Sequence, residues 1–160
     1  MPKLSAGIIA YKRNAAGEYK VLLVHPGGPF YKNKDDGAWC IPKGEYTEGE
    51  DALLAAKREF TEETGNSLPL VEFIPLKPIK IKSGKIISAW VVEADFIEPL
   101  IHSNHFDIEW PPRSGKKQSF PEIDKAEWFT LKEARHKINV GQTDLIEQLA
   151  RIIESRTVSN

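Results

Sequence analysis

The chain has 160 residues, of which 41% are hydrophobic and 28% charged, an ordinary globular composition sufficient for one domain (1–160) with a sizeable core. A formal net charge of −1 argues against a broad nucleic-acid footprint, so no DNA partner is expected, while small anions need only a local basic patch. Cys40 is the only cysteine, which excludes an intrachain disulfide and fits a reducing, cytoplasmic setting. No run approaches the roughly 18 apolar residues of a membrane span, and Met1 to Ser5 lacks a signal-peptide core, so no membrane partner is expected.

In chain order, Ser5 to Lys12 is β-rich, Asn14 to Glu18 supplies a turn, and Tyr19 to His25 is β-rich again, which predicts a hairpin. The Val21-Leu-Leu-Val24 run is continuous rather than alternating, so this strand is expected to be buried on both faces. Pro26-Gly-Gly-Pro29 breaks it. The glycine pair lacks the Gly-Lys-Ser/Thr ending of a phosphate-binding P-loop and leads into no helix, so it reads as a turn. Phe30 to Gly37 is polar and predicts an exposed loop, and Trp39 to Gly44 is a short extended stretch.

Gly44 to Asn66 holds a crowd of carboxylates. Thr47 with Glu50 three residues on has the form of a capping box, with acids in the first turn, and Gly65 has the position of a left-handed helix stop. Between them Leu53, Ala56 and Phe60 recur at helical spacing as a core-facing stripe. Glu59, Glu62 and Glu63 stand at i, i+3 and i+4 on one face, where like charges cost roughly 0.2–0.5 kcal/mol per pair without a counter-ion. A hard divalent cation held through oxygen ligands answers that cost, and magnesium characteristically combines a few carboxylates with water and substrate phosphates. A solvated helix face with Lys57 and Arg58 as ordinary partners is the alternative.

Val71 to Ile81 and Lys85 to Phe96, joined by Ser83-Gly84, predict a second hairpin. Glu98 to Ser119 reads as a long irregular loop, which in a compact domain is usually functional or disordered. His102 and His105 are three apart with no third ligand in view and read as surface histidines rather than a metal site. Arg113, Lys116 and Lys117 are placed to meet phosphate, with a solvated basic loop as the alternative, and Trp110 either stacks on a base or anchors the loop. A strand ending at Trp128 and Phe129 follows; Thr130 with Glu133 caps a helix, and a closing helix runs from about Thr143 to Ser155 with Leu145, Leu149 and Ile152 facing the core.

The whole arrangement of Gly44, Glu50, Arg58-Glu59-Phe60, Glu62-Glu63 and Gly65 resembles the Nudix box, G-x5-E-x7-R-E-U-x-E-E-x-G-U, with U a bulky apolar residue. Asn66 departs from the final apolar position, and Leu68 is placed to fill that gap. Trp39-x-x-Pro42-Lys43-Gly44 resembles the entry to the box in diadenosine polyphosphate hydrolases. His25-Pro-Gly-Gly-Pro, Trp110-Pro-Pro-Arg-Ser-Gly and Phe120-Pro-Glu-Ile-Asp are similar to segments of a bacterial Nudix group described as predicted nucleoside-triphosphate pyrophosphohydrolases.

The resemblance implies an α+β fold, a mixed β-sheet sandwiched between α-helices. It also implies hydrolysis of a nucleoside diphosphate linked to another moiety, with magnesium as cofactor and manganese as the alternative ion. The carboxylates of Glu59, Glu62 and Glu63 and the carbonyl of Gly44 would be the metal ligands, Arg58 would orient Glu59 or Glu62 through an ion pair, and Lys43 would contact phosphate. The general base comes either from the box or from a downstream glutamate, Glu122 first and Glu127 as its alternative. The proline that marks many ADP-ribose enzymes and the tyrosine that marks many dinucleotide polyphosphate enzymes are both missing near Ile81 and Lys82. Dinucleoside polyphosphates and nucleoside triphosphates therefore rank together, ahead of ADP-sugars. A small-molecule nucleotide is the expected partner, for a monomer or homodimer. The competing class is a noncatalytic nucleotide-sensing or protein-binding module, disfavoured because Glu59, Glu62 and Glu63 are all present.

Overall fold

The computed structural model describes residues 2–94 and 104–158. Strands β1 (Leu4–Arg13) and β2 (Tyr19–Pro26) form the first hairpin, paired at Tyr11↔Val21. The start of β1 pairs antiparallel with β3 (Lys43–Tyr46), Ala6 facing Gly44. Gly7 permits this close crossing, because a Cβ there would meet the Pro42 carbonyl oxygen at 2.6 Å and Ile41 Cδ1 at 2.8 Å. Helix α1 (Ala52–Thr64) follows, then the short strands β4 (Ile74–Pro75) and β5 (Ile79–Lys80), both antiparallel to β6 (Ile86–Glu93). Their turn closes at Gly84, φ 92°, whose N–H donates to the Ile81 carbonyl at 2.9 Å. Strand β6 runs parallel to β1 from Leu4↔Ile86 to Tyr11↔Glu93.

Residues 98–119 are not irregular throughout, as the loop reading supposes. His105–Glu109 (β7) and Lys117–Pro121 (β8) form a separate two-stranded ribbon, in register from His105↔Pro121 to Glu109↔Lys117. His-Phe-Asp-Ile-Glu alternates with period two, a strand signal that the adjoining Pro111-Pro112 obscures. His102 lies outside the described residues, and His105 is exposed on the ribbon.

Strand β9 (Ile123–Thr130) completes the seven-stranded sheet against β2, with Leu23 opposite Glu127 and Leu22 opposite Trp128. Helix α2 (Leu131–Lys137) starts at the predicted box, Glu133 N–H donating to Thr130 Oγ1 at 3.1 Å and Thr130 N–H to Glu133 Oε1 at 2.9 Å. Helix α3 (Thr143–Val158) ends the described chain. Among the described residues no helix is long and apolar enough to cross a membrane.

The sheet is sandwiched between helices because its central strands are apolar on both faces. Val21 and Leu23 pack with Ile9, Leu145, Ile146 and Leu149 on the α3 side, whereas Leu22 and Val24 pack with Ala55, Ala56 and Phe60 of α1 on the other. All four residues of the Val21–Val24 run are 0% exposed, as its continuous pattern predicts. Each such side chain contributes roughly 1.5–3 kcal/mol by leaving water, which fixes α1 against the sheet and with it the glutamates it carries.

Helix α1 begins later than predicted. Asp51, not Thr47, is its N-cap, accepting from Leu54 N–H at 3.0 Å, and no acid stands in the first turn. Thr47 and Glu50 instead close a turn ahead of the helix, Glu50 N–H donating to the Thr47 carbonyl at 2.9 Å. Aspartate caps at least as well as threonine, and the Glu50 carboxylate is engaged by Arg58 at 2.6 Å. Gly65 is left-handed, φ 72°, and its N–H donates to the Thr61 carbonyl, as predicted.

Candidate active site

Three segments contribute to the site: β3, the flank of α1 that carries Glu59 and Glu63 against it, and the turn between β8 and β9. Gly44 on β3 matters for what it lacks. A Cβ at that position would overlap the Glu59 carboxyl group, so the glutamate lies directly on the Gly44 backbone. On the helix, Arg58 reaches three carboxylates: Nη1 lies 2.6 Å from Glu50 Oε2, Nη2 3.4 Å from Glu59 Oε1, and Nε 3.9 Å from Glu62 Oε1. The short Glu50 contact holds that acid well below its ordinary range, with the guanidinium hydrogen bond as the main cause. Arg58 thus organises the acids around one cation.

Glu59 and Glu63 are the perturbed acids. Burial, then the neighbouring Glu62, raises Glu59 despite its Arg58 contact, and Glu122 also raises it. Glu63 is pushed up to about 8, first by burial and then by Glu59, with Glu122 adding and Lys43 opposing. The Lys43 backbone also opposes the rise of Glu63, while Glu63 Oε2 is buried with no hydrogen-bond partner. A buried carboxylate oxygen left unpaired costs roughly 1–3 kcal/mol or more, and this one faces other acids. Such a site calls for a cation.

Glu122 therefore lies within electrostatic reach of Glu59 and Glu63, although it is far from them in sequence. Glu127 does not. It stands opposite Leu23, whose side chain faces the α3 side of the sheet, and it borders a polar depression with His25, Asp35, Trp39 and Lys137. Among the described residues, no three His, Cys, Asp or Glu side chains are gathered so as to hold a metal ion, the box acids included. Glu59, Glu62 and Glu63 are linked through Arg58 and their mutual charge rather than as a preformed ligand set. Cys40, near Lys43, is a packed thiol pushed up to about 11 by burial, with no nucleophilic role.

The remaining predicted contacts lie on the ribbon. Trp110, Arg113 and Lys116 form its tip, and no described hydrogen bond or ion pair joins them to α1. Trp110 packs edge-to-face on Phe30, ring centroids 5.6 Å apart, while Phe106 fills the space beside Gly28. Phe30 is 57% exposed, so this aromatic pair is open to solvent. Arg113 has φ 62°, with its N–H donating to Glu109 Oε1 at 2.7 Å, and among the described residues no ion pair involves its guanidinium. Sequence reasoning missed Phe30 as part of this surface, and also the pairing of buried His25 with half-buried Asp124, 2.7 Å apart, at the root of the ribbon. The latter left no local signal, since the partners are separated by 99 positions.

A family model described as NUDIX domain matches residues 1–149. No curated protein matches the chain. Among solved structures, the NUDIX domain of Shewanella oneidensis NrtR complexed with ADP ribose is similar at TM-score 0.68 and 16% identity, over 96% of this chain and 89% of that one. An Ap4A hydrolase of C. elegans is similar at TM-score 0.64 and 20% identity, over 94% and 98%. A mutT/nudix family protein from Listeria innocua is similar at TM-score 0.66 and 17% identity, over 100% and 99%. At these identities the structural likeness concerns the fold, whereas the family match spans nearly the whole sequence. The chain belongs to the Nudix family.

Proposed function

We propose that the protein is a divalent-metal-dependent pyrophosphohydrolase that cleaves the diphosphate linkage of dinucleoside polyphosphates or nucleoside triphosphates, working in the cytoplasm as one domain over residues 1–160. The observation that carries this reading is the partnerless, buried Glu63 oxygen among Glu59, Glu62 and Glu122. Oxygen donors in that setting fit magnesium, or manganese, better than a softer ion. Glu59, Glu62, Glu63 and the Gly44 carbonyl would hold it. Bound there, the ion would neutralise the charge of the diphosphate and orient a water for in-line attack.

The chain's own residues supply the rest. Arg58 holds the carboxylates in one orientation, and its ion pairs with Glu50, Glu59 and Glu62 make it a brace rather than a substrate contact. Glu122 accepts the proton of the attacking water. Lys43, beside Glu63, meets a phosphate oxygen. The half-buried Trp110 with the exposed Phe30 offers a stacking surface for the base, flanked by Arg113 and Lys116 for distal phosphates. ADP-ribose and Ap4A, named with two of the similar structures, are both nucleoside diphosphate derivatives, the class this site would accept.

The test is incubation of the purified protein with magnesium and a panel of nucleoside triphosphates, dinucleoside polyphosphates and ADP-sugars, beside Glu63→Gln, with products identified by chromatography. Release of a mononucleotide by wild type alone supports the reading. Nucleotide binding without hydrolysis by either protein would instead favour a sensor.

A further inference from the structure

The most enclosed ionisable ring in the described chain is His25, 1% exposed at the end of β2. Its Nδ1 lies 2.7 Å from Asp124 Oδ1, and its Nε2 lies 2.7 Å from the Lys34 carbonyl oxygen. Both neighbours are acceptors, so a ring with a proton on each nitrogen donates to both, whereas a neutral ring satisfies one. The ring also meets Trp39 edge-on at 5.1 Å, and Trp39 Nε1 donates to Asp35 at 2.8 Å. His25 therefore ties β9 and the loop after β2 to one buried point.

Asp124 is where the β2–β9 ladder slips. His25 pairs with Lys125, but the next residue, Pro26, pairs with Ile123, which leaves Asp124 as the extra residue of a bulge. The slip turns Ile123 into the apolar layer beneath α1 and gives the Asp124 carboxylate to His25. Immediately beyond it, Glu122 is gripped through its backbone from both sides. Gly27 N–H donates to the Glu122 carbonyl at 2.8 Å, and Glu122 N–H donates to the Asn104 carbonyl at 2.8 Å. A Cβ at Gly27 would overlap the Pro121 carbonyl, so the two segments lie in direct contact.

We propose that His25 and Asp124 are positioning residues for Glu122. The His25–Asp124 pair fixes the bulge, the bulge fixes where the chain leaves the sheet, and the Glu122 carboxylate is thereby kept within electrostatic reach of Glu59 and Glu63. This rests on the reading of Glu122 as the proton acceptor. An ordinary structural pair would support the whole fold and act on every step alike, whereas a positioning pair acts through one side chain.

The experiment is a double-mutant cycle. Asp124→Asn and His25→Gln are each made in wild type and in Glu122→Gln, and kcat and KM are measured on the best substrate of the panel, well below the melting temperature. Each single change is expected to lower kcat about tenfold, the lower end for loss of an orienting partner, with KM within about twofold and no further loss in Glu122→Gln. His25→Gln keeps a donor toward one acceptor, so it serves if Asp124→Asn does not fold. Additive losses, or a raised KM at unchanged kcat, overturn the proposal while leaving Glu122 in its role. Normal turnover by Glu122→Gln, or no turnover of any panel substrate by wild type, removes the underlying reading and this proposal with it.

Discussion

The carboxyl group of Glu59 occupies the space that a side chain at Gly44 would need. Gly44 has no left-handed backbone requirement, and the nearest atoms an added methyl group meets are the carboxyl end of the Glu59 side chain rather than backbone. Gly44→Ala is therefore expected to leave the fold intact, with the melting temperature within a few degrees of wild type, while displacing Glu59. Activity with magnesium should fall about 10–100-fold, with a higher magnesium requirement. Unchanged magnesium dependence in the folded variant would separate Glu59 from the metal.

Glu63 gives a prediction in both activity and stability. Glu63→Gln should cut turnover by roughly 10²–10⁴ without unfolding the chain, the range for loss of a positioned catalytic group. In metal-free protein the direction with pH follows from its raised value. Between its ordinary 4.5 and about 8 the folded chain holds a proton that the unfolded chain has released. Stability then falls as pH rises through that window and levels off above about 8, a change on the order of a few kcal/mol. Melting curves in chelator from pH 5 to 9 should show this slope in wild type and not in Glu63→Gln. Parallel curves would mean that Glu63 is not the group responsible.

The ribbon predicts a different kinetic signature. Trp110 and Phe30 form an open aromatic pair away from the carboxylates, so Trp110→Ala should raise KM with kcat nearly unchanged. Stacking on a base is worth roughly 1–3 kcal/mol, which makes a KM increase of at least about fivefold the expected size. Arg113→Ala and Lys116→Ala should raise KM more as the substrate's phosphate chain lengthens. Steady-state kinetics on a nucleoside triphosphate and a dinucleoside tetraphosphate tests both, and a change in kcat alone would place the ribbon outside substrate binding.

What the sequence made legible was local. The hairpins, the Thr130–Glu133 box, the Gly65 stop and the helical face of Glu59, Glu62 and Glu63 all depend on spacings of a few residues, which a linear reading sees directly. The start of α1 was misplaced because Thr47-x-x-Glu50 and Asp51 both satisfy capping chemistry: Glu50 Oε1 does accept from Thr47 N–H at 3.3 Å, but in a turn ahead of the helix, where its other oxygen takes Arg58. The ribbon was hidden by the Pro111-Pro112 turn at its tip, since prolines normally interrupt strands. The contact of Gly44 with Glu59 and the pairing of His25 with Asp124 are tertiary, fixed by how β1 receives β3 and how β9 slips against β2.

Two downstream acids compete for the role of base, and the sheet separates them. Glu127 lies opposite Leu23, on the face covered by α2 and α3, whereas α1 covers the other face. A carboxylate there would have to reach through the sheet to meet Glu59 or Glu63. Glu122 precedes the strand, outside that alternation, and its charge already acts on both box acids. Glu122→Gln is accordingly expected to lower kcat clearly, though less than Glu63→Gln, because the metal ligands remain. Glu127→Gln, an exposed change, should leave kcat within about twofold and stability within about 0.5 kcal/mol. Measuring the two side by side at saturating magnesium decides the assignment: equal activity of Glu122→Gln and wild type would move the proton acceptor into the box, with Glu59 the next candidate.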